Sequence, residues 1–75
     1  MKSNLLKSQR VKKGLTQKKI SEILDIDSTS YSKKENGIIE FKASEINLIR
    51  KIFELSPEET IEIFFDDKLE LNSSL

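Results

Sequence analysis

Cysteine, histidine and tryptophan are absent from this 75-residue chain, and it has only two glycines and one proline. Without cysteine there is no disulfide framework and no thiolate for a metal, a composition suited to a reducing compartment. The lack of histidine argues against zinc and leaves no side chain whose ordinary titration falls near neutral pH. Apolar runs are two or three residues long, far too short for a membrane span or the apolar segment of a signal peptide. No glycine-rich phosphate loop, internal repeat or low-complexity segment is present. Adjacent acids occur at Glu58-Glu59 and Asp66-Asp67, but such pairs ordinarily complement a helix dipole or stay solvated. Acid–base or metal chemistry has no convergent residues to work with. The expectation is a soluble, cytoplasmic, single-domain protein that is not an enzyme. It should need no cofactor, metal or small-molecule ligand and associate with no membrane.

What the chain does have is charge, in an uneven arrangement. The formal net charge is zero, from 13 basic and 13 acidic residues. Residues 1–34 hold nine Lys/Arg against Glu22, Asp25 and Asp27, whereas residues 35–75 hold four against ten acids. A front half at +6 joined to a back half at −6 points to a polyanion on one side. The sequence pI of 6.3 is nonetheless low for a strongly basic binder.

The apolar spacing is helical throughout. Residues 3–13 place Leu6 and Arg10 on one face, and Gly14 supplies a left-handed stop. Thr16 can cap a helix over 17–24, whose Ile20, Ile23 and Leu24 form a stripe. Asp25 tolerates the left-handed conformation, Ile26 re-enters the core, and Asp27 caps a helix over 28–35 that Asn36-Gly37 ends. Residues 38–42 read as a loop anchored by Phe41. Over 44–55 two stripes interleave, Ile46/Ile49/Phe53 and Leu48/Ile52/Leu55, a face wide enough for a helix buried on most sides. Ser56-Pro57-Glu58-Glu59 is a capping box with proline in the first turn, and it opens a last helix to about Phe65. The expected fold is an all-α five-helix bundle in one domain, residues 1–65, with a polar tail over 66–75.

Two short helices joined by a three- or four-residue turn describe a helix-turn-helix. Ser21 is small where the two helices must approach, and Ile20, Ile26 and Tyr31 are apolar where they share a core. Arg10, Gly14-Leu15-Thr16-Gln17, Ile20-Ser21, Ile26, Tyr31-Ser32 and Glu35-Asn36-Gly37 together resemble the Cro/repressor-type helix-turn-helix family, also called the XRE family, with its lambda repressor-like DNA-binding domain. The similarity covers about residues 5–65. The segment from Tyr31 to Gly37, with Phe41 after it, looks most like members from phages and mobile elements of Gram-positive bacteria.

The resemblance implies roles for particular residues. Ser28, Thr29, Ser32 and Lys33 fall on the outward positions of the recognition helix, which reads base edges in the major groove. Gln17 falls where the family hydrogen-bonds a phosphate, and Asn36 and Lys42 where its loop approaches the backbone. Lys18 and Lys34 would add phosphate contacts through charge, unless they only line a solvated face. Arg10 and Glu35 fall where several members form a buried structural ion pair. Asp25 departs from the usual glycine, and Asp27 sets an anion near the phosphates. With Ser or Thr at three of four reading positions, DNA shape would carry part of any sequence preference.

The implied function is that of a transcriptional regulator, a small repressor binding a palindromic operator in double-stranded DNA as a homodimer. Ile61, Phe64, Phe65 and Leu69 are the expected dimer contact, since one small bundle has little need to bury them all. A protein-interaction module on the same fold, antitoxin- or antirepressor-like, is the alternative. An RNA- or single-strand-binding role is disfavoured by the lack of an aromatic platform beside the lysines.

Overall fold

The computed structural model describes residues 1–65. They form five helices, α1 (Ser3–Lys12), α2 (Gln17–Leu24), α3 (Ser28–Glu35), α4 (Ala43–Ile52) and α5 (Pro57–Phe64), with no strand among the described residues. The tail over 66–75, and with it Leu69, lies outside the described residues.

Local chemistry sets most of the boundaries. Gly14 takes a positive φ of 71° after α1, and the Leu15 amide then closes back on the Arg10 carbonyl at 3.2 Å. The Thr16 hydroxyl accepts from the Lys19 amide at 3.0 Å and starts α2. Asp25 ends α2 in the left-handed region at φ 58°, so that the Ile26 amide reaches the Ser21 carbonyl at 3.0 Å. The Asp27 carboxylate then accepts from the Ser30 amide at 2.7 Å and opens α3. The Ser56/Glu59 capping box is complete, with reciprocal bonds of 3.1 and 2.8 Å. Four helix-end donors are thus satisfied by residues whose types predicted the caps.

Leu6, Ile20, Tyr31, Ile49 and Phe53 form the fully buried centre, with Leu24, Leu55, Ile63 and Phe64 around them. Each large apolar side chain buried in this way stabilises the fold by about 1.5–3 kcal/mol. The α2 and α3 helices pack on each other, and α1 packs on both α3 and α5. The Lys2 amide donates to the Ile63 carbonyl at 2.7 Å, joining the front of the chain to its last helix. Ser21 is buried on α2, and its hydroxyl donates to the Lys18 carbonyl at 2.6 Å. Phe41 anchors the loop after α3. Its ring meets Tyr31 edge-on at 6.0 Å and Phe64 at 5.6 Å.

Two expectations are corrected. The α4 helix is shorter and less enclosed than its two stripes imply. It stops at Ile52, and Leu48 keeps 41% of its surface exposed. Leu55 reaches the core from outside the helix, because Glu54 adopts a left-handed φ of 55° and turns the chain inward. Phe64 is a core residue with 6% exposure, so it is no part of a surface patch. Its ring meets Phe41 edge to face at 5.6 Å, inside the bundle rather than toward a partner.

Candidate nucleic-acid interface

One carboxylate organises the helix-turn-helix from inside. Glu35, near the end of α3, is 1% exposed. Its Oε2 accepts from Arg10 Nε at 2.8 Å and from the Tyr31 hydroxyl at 2.8 Å. Its Oε1 accepts from Arg10 Nη2 at 3.2 Å and from Gln17 Nε2 at 3.1 Å. A third guanidinium nitrogen, Arg10 Nη1, donates to the Leu15 carbonyl at 2.8 Å. The network therefore ties α1, the α1–α2 turn, the start of α2 and the end of α3 to one point. Burial pushes the Glu35 carboxyl up, but hydrogen bonds from Arg10, Tyr31 and Gln17 with the Arg10 charge outweigh it and hold the group below its ordinary range. Tyr31 is driven strongly upward by burial and by its bond to the carboxylate, so it stays a neutral donor. Arg10 and Glu35 are a structural ion pair, as the resemblance implies.

With its inner face locked, α3 turns the other face outward. Tyr31, Lys34 and Glu35, at i, i+3 and i+4, point inward. Ser28, Thr29 and Lys33 are exposed, and Ser32 is half-buried beside them. Asn36 is exposed at the helix end, its Nδ2 3.5 Å from the Ser32 hydroxyl. Lys42 is exposed at the start of α4, and Lys18 in the first turn of α2. Gln17 is half-buried. One of its amide protons serves Glu35, which leaves the second for a ligand. A shallow groove runs past Gln17 and Lys18 and is also lined by Lys7 and Gly14; Lys7 carries no helical or spacing signal that would have marked it in the sequence.

Lys34 does not belong to this surface. It is 7% exposed, and its Nζ donates to both oxygens of Glu45 at 2.7 and 2.8 Å. Its place on the Tyr31/Glu35 face is the reason: a side chain three residues after a buried tyrosine points inward. The expected phosphate contact at Lys34 is therefore replaced by a buried ion pair. Glu45 was missed in the sequence, although a Glu three residues after Lys42 has the spacing of a capping box. Burial raises the Glu45 carboxyl, and the Lys34 ammonium together with the Lys42 amide brings it below its ordinary range.

Asp27 stays anionic at the front of α3, because the Ser30 amide holds its carboxyl below the usual value. The outward face of α3 thus carries short hydroxyls, one long cation and one fixed anion at its leading end.

A braced pair of short helices with the second one presented to solvent defines the helix-turn-helix class of DNA-binding domains. A family model described as a helix-turn-helix domain matches residues 4–62, and the chain belongs to that family. No curated protein and no solved structure gives a significant match. No helix among the described residues is long and apolar enough to cross a membrane.

Proposed function

We propose that the protein is a sequence-specific transcriptional regulator, a small repressor that binds a palindromic operator as a homodimer. The observation that carries this reading is the two-sidedness of α3: Glu35 and Tyr31 are locked inside while Ser28, Thr29 and Lys33 stand exposed. Lys33 is the long donor of the set and reads guanine N7/O6; Ser28, Thr29 and Ser32 contact bases at close approach or through water. Gln17, Lys18, Asn36 and Lys42 hold backbone phosphates and fix the register. Lys7, beside Gln17 in the groove, joins them.

Selection of bound sites from a pool of random duplexes tests the reading. A two-fold symmetric consensus is expected. Lys33→Ala should then flatten the preference at one or two base pairs per half-site, by about 1–3 kcal/mol, while Gln17→Ala weakens all duplexes alike. A pool that returns no enriched sequence removes the proposal of specific recognition. An unchanged ranking of sites in Lys33→Ala removes that residue from base readout.

A further inference from the structure

We infer that Lys34 and Glu45 are positioning residues for DNA binding: their buried pair sets the loop of residues 36–42 against the recognition helix. The inference rests on the proposed function, in which that loop carries the phosphate contacts Asn36 and Lys42.

The loop leaves α3 at Asn36 and enters α4 after Lys42, and one carboxylate spans the gap. Glu45 Oε1 accepts from Lys34 Nζ at 2.7 Å and from the Lys42 amide at 2.8 Å. Lys34 lies in the last turn of α3, next to Lys33. The Lys33 carbonyl accepts from the Ile38 amide at 2.9 Å and the Ile39 amide at 3.3 Å. The entry of the loop is therefore hydrogen-bonded to the backbone of a base-reading residue. Its exit is hydrogen-bonded to a carboxylate held by the neighbouring residue.

Burial makes the arrangement stiff. The Lys34 and Glu45 side chains are 9% and 7% exposed, so solvent screens the pair weakly. An isolated buried ion pair contributes little to net stability, and a role in fixing geometry is its better-attested use. Here the geometry fixed is the distance between the base-reading face of α3 and the cation at Lys42. Phosphate contacts that miss their register by an ångström lose their charge-assisted hydrogen bonds.

The test compares Lys34→Met, Lys42→Ala and the double variant. For each, the slope of log Kobs against log salt is measured on a non-specific duplex, beside amide exchange in the free protein. Each phosphate contact contributes about 0.9 to that slope. Lys34→Met should lower the slope by about one contact, as Lys42→Ala does, and the double variant should fall no further. The Lys42 amide should exchange faster in free Lys34→Met. The preference between sites differing at base pairs read by α3 should not change. Additive slopes in the double variant would show Lys34 acting on DNA by its own charge and overturn the inference. An unchanged slope, or an unchanged Lys42 amide, would overturn it too. If Lys34→Met does not fold, Lys34→Met with Glu45→Met removes the pair without stranding a charge and should give the same loss of one contact. A wild type that binds no duplex overturns the DNA reading itself, an outcome separate from a wild type that binds and a variant that binds equally well.

Discussion

At the scale of single residues, the chain concentrates its consequences in buried carboxylates. Removing one member of a buried ion pair costs about 3–5 kcal/mol, because the other charge is left uncompensated. Arg10→Met should therefore destabilise by that amount in urea denaturation. Arg10→Met with Glu35→Leu should recover much of it, but not all: the Tyr31 hydroxyl and Gln17 amide, which both donate to Glu35, then lose their acceptor. Losses that simply add would show that the pair is not coupled in solution. Acid should act on the same groups. Glu35 and Glu45 both titrate below their ordinary value of 4.5 in the folded chain. A depressed folded-state value means stability that is fully present above the unfolded value and is lost as pH falls through the folded one. The urea midpoint should hold from pH 7 to about 5 and drop below about 4.5, with a shallower drop in the Arg10→Met/Glu35→Leu variant. With no histidine in the chain, no side chain of ordinary titration adds a step between pH 5 and 8. A midpoint that does not move between pH 5 and pH 3 would contradict this assignment.

Elements were the most legible level, since helix ends depend on neighbours in sequence. Thr16, Asp27 and Ser56 act as caps where their side-chain chemistry predicts them, and Asp25 takes the left-handed turn that the motif needs. The end of α4 was not legible, because no glycine marks it: Glu54 adopts φ 55° at a position that an L residue enters only at a cost. Its carboxylate meets Lys13 Nζ at 2.8 Å on an exposed surface, where water and salt screen the contact. Gly14 and Glu54, both left-handed, give opposite predictions. Gly14 has open space around the position of an added Cβ, so Gly14→Ala should destabilise by about 1 kcal/mol through backbone strain alone. Glu54→Gly should be neutral or stabilising by up to about 1 kcal/mol, as relief of strain offsets the lost ion pair. Thermal unfolding of the two variants beside the wild type checks both signs. A destabilised Glu54→Gly would mean that the Lys13 contact outweighs the strain.

At the scale of the whole molecule, what sequence spacing could not reveal was which polar residues meet across the fold. The Arg10–Glu35 pair was accessible only because the resemblance supplied it; spacing placed Arg10 on the Leu6 face but named no partner. Lys34–Glu45 had no such help, and charge alone misread Lys34 as a surface cation. The same limit applies to Phe64, whose apolar character fits core and interface equally until Phe41 is seen lying against it. This correction changes the test for the proposed homodimer. Phe64→Asp would bury an unpaired charge and unfold the chain, which says nothing about assembly. Ile61 is the sharper probe: it keeps 45% of its surface exposed on α5, so an aspartate there is solvated in a monomer and unpaired in an isologous contact. Three short side chains and one lysine on a single α3 do not plausibly supply the ~4–10 kcal/mol that separates specific from non-specific sites. Two copies can, if their recognition helices enter successive major grooves about 34 Å apart. Ile61→Asp should therefore remain folded by circular dichroism, have the monomer mass by light scattering, and bind an operator weakly while binding a single half-site as the wild type does. An Ile61→Asp dimer with intact operator affinity would move the contact away from the exposed face of α5, and a wild type that binds its operator as a monomer would remove the homodimer.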